Sequence, residues 1–279
     1  LVAQGFLERE GDGPDAKYRN TDETGHFLVK GRPNYIGSLL EMWNQRAYHF
    51  WGNLSQALKT GQAQNECAQS DGAMFDVLYS DPKRMEQFSL SMAVISQKNF
   101  ENFAKKFDFS PYSTLCDVGG ASALLARLVA QQHAHMHCIS FDLPQLEALA
   151  QAAVERDGLS TRVAIVSGSF FDRPLPRADI ITMGMILHDW NLEKKLSLIK
   201  MAYEALPEGG AFVAIESLID DARRENLGAL INSLQMLLEF GDAFDFTGAD
   251  FKKWCLATGF ARCEILHLNG PSYAAIAYK

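Results

Sequence analysis

The chain has 279 residues, 47% of them apolar and 22% charged, with a formal net charge of −8 at pH 7. The length allows one large or two modest domains, and the apolar content excludes a disordered chain. The acidic balance argues against a nucleic-acid partner, no apolar run reaches the roughly 18 residues that span a bilayer, and no signal peptide opens the sequence.

The chain starts at Leu1 without a Met, within what reads as a helix end, so an earlier N-terminal segment is expected. Residues 1–109 carry mostly helical signals. Gly11–Asp15, between Phe6–Glu8 and Lys17–Arg19, reads as a hairpin loop. Over 36–58 the apolar residues Ile36, Leu39, Leu40, Trp43, Ala47, Phe50, Trp51, Leu54 and Leu58 recur at helical spacing. Over 83–103, Met85, Phe88, Met92, Ile95 and Phe103 do much the same. After Ser110–Pro111 short apolar runs alternate with helix-length segments. Strands are expected at Thr114–Val118, His137–Asp142, Arg162–Val166, Asp179–Met183 and Ala211–Glu216, with helices over 122–132, 145–156 and 192–206. That alternation predicts a parallel α/β sheet with helices on both faces. The runs 261–268 and 272–278 are joined by Asn269–Ser272, too short for a crossover helix, so the last strand must run antiparallel to its neighbour.

The five cysteines (Cys67, Cys116, Cys138, Cys255 and Cys263) show no CxxC spacing and read as reduced thiols of a cytoplasmic protein. His133, His135 and His137 imitate a metal pattern, but their spacing better fits a solvated loop, and no metal is expected.

Two constellations carry chemistry. Asp117–Ala123 follows the first strand of the α/β region and opens a helix. Its glycines Gly119 and Gly120 allow close backbone approach to a ligand. Asp142 ends the next strand, about 20 residues on, where a carboxylate suits a ribose diol. The turn lacks the GxGxxG pattern, and Asp117 would repel a pyrophosphate, so a cofactor with a cationic end fits better. A tight turn beside a surface Asp explains this segment alone equally well. The second constellation is His188, placed after a strand end, with Glu216 ending the next strand and Asp245 in the loop 240–247. One imidazole and two carboxylates at one sheet edge form a general-base arrangement.

With Asp117–Gly120, Phe141–Pro144, His188–Trp190, Glu204–Gly210, Thr247, Phe251 and Thr258–Phe260 in this order, the chain resembles the class I S-adenosylmethionine-dependent O-methyltransferases of the caffeic acid and acetylserotonin type. That group includes bacterial members that tailor small aromatic natural products. The resemblance implies a Rossmann-like methyltransferase sheet with a reversed last strand over 110–279. It also implies a mainly helical, winged-helix-type dimerisation domain over 1–109, lacking its start, and a homodimer. The cofactor would be S-adenosylmethionine and the product S-adenosylhomocysteine. His188 would be the base, flanked by Glu216 and by Asp245, where the family usually has Glu. Asp117, Gly119, Gly120, Asp142, Leu143, Ser169, Phe170, Gly184 and Trp190 would surround the cofactor. Met236 and Phe240 would wall the small-molecule acceptor, with Met85, Phe88 and Met92 closing the pocket from the other domain.

Three departures stand out: Ala121 and Ala123 in the glycine turn, Ser169 for the usual Asp, and Gly184 where plant members carry Lys. Each is expected to weaken cofactor binding, one lost charge-assisted hydrogen bond costing about 1.5–3 kcal/mol. The expected activity is methyl transfer to a hydroxyl of a planar, largely apolar acceptor, a nitrogen acceptor staying open. The alternatives are hydroxylation, decarboxylation or ring closure on the same fold, and a non-catalytic binding or regulatory protein.

Overall fold

The structure is a computed structural model that describes residues 1–32, 34–65 and 74–279; Cys67 lies outside them. The expected hairpin is β1 (Leu7–Glu10) paired antiparallel with β2 (Lys17–Asn20), Leu7 opposite Asn20. Helix α1 (Asp22–Phe27) follows, its first turn capped by the Thr21 hydroxyl, which accepts the Thr24 N–H.

The periodic run over 36–58 breaks into α2 (Gly37–Gln45), α3 (Ala47–Trp51) and α4 (Leu54–Thr60). The first break falls at Arg46, whose backbone leaves helical geometry at φ −120°, ψ −76°. Its guanidinium meets Glu239 at 2.8 Å and lies over the rings of Phe50 and Phe88. A long-range ion pair thus overrides a local helical pattern. Ile36, Leu40, Trp43 and Leu58, part of the expected apolar stripe, face outward. Helix α5 (Met74–Tyr79) leads to α6 (Pro82–Lys106), which has the ideal start: Asp81 as cap, Pro82 in the first turn, and Lys105 and Lys106 at the negative end of its dipole.

The remaining strands are β3 (Thr114–Val118), β4 (His137–Asp142), β5 (Val163–Ser167), β6 (Ile180–Gly184), β7 (Ala211–Ser217), β8 (Arg262–Asn269) and β9 (Ser272–Tyr278). They form one seven-stranded sheet in the order β5-β4-β3-β6-β7-β9-β8. The first five strands are parallel, and β9 is antiparallel to both β7 and β8. Helices α7 (Leu124–Gln132), α8 (Glu147–Arg156), α9 (Leu192–Ala205), α10 (Leu227–Phe240) and α11 (Gly248–Thr258) connect them. Strand alternation divides the core between the two faces. In β7, Ala211, Val213 and Ile215 join Phe103, Leu125 and Val129 of α6 and α7. Phe212 and Ala214 join Leu198 of α9 and Phe251 of α11 on the other face.

The chain enters at β3, builds outward through β4 and β5, then returns to place β6 on the other side of β3. The strand order therefore reverses at β3, and its carboxyl edge is where a ligand crevice forms. Gly119, Asp142, Gly184 and Glu216 all lie at that edge, at or just past the ends of β3, β4, β6 and β7.

Candidate functional site

The turn after β3 is closed to any side chain. A Cβ on Gly119, whose φ is +74°, would lie 2.2 Å from Ile186 Cδ1, and one on Gly120 would lie 2.2 Å from Ser140 Oγ. Asp142 is tied to this turn: its carboxylate accepts the N–H of Ala121 and the N–H of Leu143, each at 2.7 Å. Burial pushes the Asp142 carboxyl up to about 6, although both amide donors pull it back. Asp117 lies deeper, accepting the Thr182 hydroxyl at 2.8 Å, and burial pushes it up to about 7. A narrow cleft beside Asp142 runs past Leu143, Leu146 and Ser167. Ser169 does not point to a distant partner; its hydroxyl accepts the Phe171 N–H at 3.1 Å. Phe170 and Phe171 stand edge-on to Trp190, with ring centres 5.9 and 4.8 Å away. The buried Trp190 Nε1 has no hydrogen-bond partner. A glycine cradle, a strand-end carboxylate and an orphaned indole N–H fit a nucleoside with a charged tail.

Two departures have visible consequences. Ala121 and Ala123 adopt φ of 46° and 57°, the left-handed region that favours glycine. At Gly184 a Cβ would lie 2.6 Å from the Phe100 ring, so Phe100 of α6 occupies the space beside this strand end.

His188 sits in a short 3-10 turn after β6 and is 4% exposed. Met185, at φ 58°, reverses the chain into that turn, and its N–H donates to the Ile215 carbonyl. Nδ1 of His188 lies 3.2 Å from Glu216 Oε2 and 3.4 Å from Asp245 Oδ1. Glu216 is aimed by its second oxygen, which accepts the N–H of Leu187 at 2.9 Å and of Ile186 at 3.2 Å. Asp245 is aimed by Asn232 of α10, whose amide donates to Oδ2 at 2.9 Å. On the other ring edge, Nε2 lies 3.2 Å from Asp189 Oδ1. Burial opposes a charge on His188, yet Glu216 and Asp189 hold its pKa well above the ordinary value. Burial pushes Glu216 up to about 7. The ligand atoms of His188, Glu216 and Asp245 lie within 4.8 Å of one another.

Phe75 of α5 stands among the residues expected to wall an acceptor. Its ring centre lies 6.4 Å from Phe88, 6.0 Å from Phe240 and 6.5 Å from Trp190. Met85 and Met92 share the face of α6 that carries Phe88, and Met236 lies one turn before Phe240 on α10. A cavity of about 280 Å³ adjoins Phe88, lined also by Met42, Arg46, Leu78 and Arg84.

The structure adds Phe75, Tyr79, Asp189, Asn232 and Lys195 to the residues expected from sequence. The Tyr79 ring centre lies 6.3 Å from that of Phe88 and 5.7 Å from that of Phe75; burial raises the pKa of its phenol, and the charges of Asp142 and Asp189 raise it further. Asp189 was visible beside His188; the others lack a sequence signal, because burial and ring orientation assign them. The histidine triplet is corrected in part: His133 and His135 contact the carbonyls of Ala104 and Phe109 at 2.8 and 3.1 Å, and so brace the loop to the end of α6 rather than face solvent alone.

Comparison with known proteins accounts for this arrangement. Residues 51–261 match the O-methyltransferase domain family. Over its whole length the chain is 33% identical to the tetracenomycin polyketide synthesis 8-O-methyl transferase TcmO of Streptomyces glaucescens, and it spans 80% of that protein. Over 80% of its length it is 36% identical to the N,N-dimethyltransferase OxyT of Streptomyces rimosus, spanning 63% of it. The whole fold superposes on human N-acetylserotonin methyltransferase, solved in complex with SAM, with a TM-score of 0.89 and 26% identity over 80% of that chain. No helix among the described residues is long and apolar enough to cross a membrane. The chain belongs to the O-methyltransferase family and is an S-adenosylmethionine-dependent methyltransferase.

Proposed function

We propose that His188 is the general base of this methyl transfer, with Glu216 and Asp245 holding its ring. The carrying observation is the convergence of both carboxylates on the single nitrogen Nδ1, at 3.2 and 3.4 Å. The two negative charges favour the tautomer that carries its proton on Nδ1, with Nε2 as the proton-accepting atom. When bound, S-adenosylmethionine supplies an electrophilic methyl group on a sulfonium. Asp142 would hold the ribose hydroxyls, Gly119 and Gly120 would admit the amino-acid end, and Trp190, Phe170, Leu143, Ser169 and Asp117 would surround the rest.

A phenol with a pKa near 10 is mostly neutral at pH 7 and a weak nucleophile. Proton removal by Nε2 is worth about 10²–10⁴ in rate. Phe75, Phe88, Phe240 and Trp190 offer faces for a planar acceptor, and Met85, Met92 and Met236 adaptable apolar surface beside them. The same reading assigns residues 1–109 to dimerisation and to closing the acceptor pocket, and 110–279 to cofactor binding, in a cytoplasmic homodimer. The outward apolar side chains of α2 and α4 support the dimer.

The test is methyl transfer from S-adenosylmethionine to 2-naphthol and hydroxynaphthoic acids, read by mass spectrometry. Methylated oxygen is expected. No product with any phenol, although S-adenosylhomocysteine binds, would overturn the acceptor class. The similarity to an N,N-dimethyltransferase favours one second reading, an amine acceptor. Naphthylamines in the same assay separate the two, since a neutral amine needs no base before attack.

A further inference from the structure

Lys195, in the first turn of α9, is fully buried. Its ammonium donates to the carbonyl of Trp190 and lies 3.7 Å from the centre of the Phe244 ring and 6.0 Å from that of Phe246. The negative charges of Glu216 on β7, of Asp245 and Asp242 in the loop between α10 and α11, and of Asp189 in the turn before α9 act on it across the site. Its neighbour Lys194 points the other way, over the outer rings of Trp190 and Phe171. Three of the four carboxylates are those that bracket His188.

This shared environment poses a problem that the buried lysine resolves. A general base must be neutral to take a proton. Three carboxylates around one imidazole favour the imidazolium and would hold the ring in the form that cannot act. A second cation among the same carboxylates opposes that charge. An ammonium buried here is shielded from bulk solvent, so its place depends on the Trp190 carbonyl, the aromatic faces and the carboxylate charges.

We propose that Lys195 is a positioning residue of the methyl-transfer site: it clamps the His188–Trp190 turn through the Trp190 carbonyl and shares the three carboxylates with the imidazole, so that His188 can shed its proton and serve as base. The inference rests on the reading of His188 as the base. Burial lowers the Lys195 pKa to about 8 even though the carboxylates hold it up, which keeps the group cationic at neutral pH.

The test follows the ring nitrogens of His188 against pH by NMR in the full chain labelled with 15N-histidine. Wild type is compared with Lys195→Met, and His188→Asn identifies the signal. Loss of the ammonium is expected to raise the imidazole midpoint by about one pH unit. An unmoved midpoint in a folded Lys195→Met protein would overturn the proposal. Should Lys195→Met not fold, wild type labelled with 15N-lysine decides: one lysine is expected to titrate near 8 and to respond as His188 titrates. A spectrum in which every lysine titrates near its ordinary value of about 10.4 would overturn the proposal. Calorimetry with S-adenosylhomocysteine on wild type keeps the two readings apart. Absence of binding would contradict the cofactor site, while the His188 midpoints still decide the role of Lys195.

Discussion

Nε2 of His188 lies 3.2 Å from Asp189 Oδ1, on the ring edge opposite Glu216 and Asp245. A lone pair and an ionised carboxylate repel at that distance, so the resting site holds a proton between them. The Asp189 contact helps hold the His188 pKa up against burial, whereas burial raises Asp189 against the pull of the imidazole. Below its midpoint the imidazole is charged and inactive as a base; above it the base is free. Asp189→Asn removes a negative charge from Nε2 and should lower that midpoint. The acid limb of kcat against pH then moves to lower pH. An unmoved limb would contradict this assignment of the proton.

Asp117 gives a stability prediction with a definite sign. Its carboxyl is pushed up to about 7 in the fold, against about 3.9 in an unfolded chain. Between those values the native state keeps a proton that the unfolded state has lost. Stability from this group is therefore complete below about pH 4 and is lost as pH rises through about 7. Asp117→Asn lacks this dependence. Relative to wild type the variant should gain on the order of 2–4 kcal/mol between about pH 4 and pH 8 in urea unfolding. Parallel stability curves would contradict the burial of an ionisable Asp117.

The two turn alanines should respond with opposite sign to glycine. Ala121 at φ 46° is partly exposed, so Ala121→Gly relieves left-handed strain and loses little packing. A stability gain of up to about 1 kcal/mol is expected, part of the relief being offset by the freer unfolded chain. Ala123, at φ 57°, gains a similar relief but is fully buried in the core, and the void that Ala123→Gly leaves there outweighs it. That variant should be less stable than wild type. Equal effects at the two sites would contradict the account.

Gly184 and Phe100 form a pair that a double-mutant cycle can read. Gly184→Ala sets a methyl 2.6 Å from a buried ring and should cost about 1–3 kcal/mol. Phe100→Leu in the same chain should recover most of that loss. Additive losses would mean that the ring moves aside freely.

Much of the sheet is legible in the sequence because its strands are short apolar runs between helix-length segments. The reversal at β9 follows from the four-residue link Asn269–Ser272 alone. The His188–Glu216–Asp245 group is equally legible, since each residue follows or ends a recognisable element on one sheet edge. The breaks in the 36–58 run are not, because Arg46 leaves the helix for Glu239, a partner 193 residues away. Lys195 is hidden for a different reason: a lysine in a helix of alternating polar residues reads as solvated, and only the packing of Phe244 and Phe246 over it shows otherwise. The strained alanines are hidden because φ is not written in composition.

The central claim is that His188 acts by removing a proton. It is tested most directly by methyl transfer to a phenolic naphthalene in wild type and His188→Asn, with S-adenosylhomocysteine affinity measured on both. The account predicts a loss of about 10²–10⁴ in turnover with cofactor affinity unchanged. Wild-type turnover on a phenol by the His188→Asn protein would contradict it.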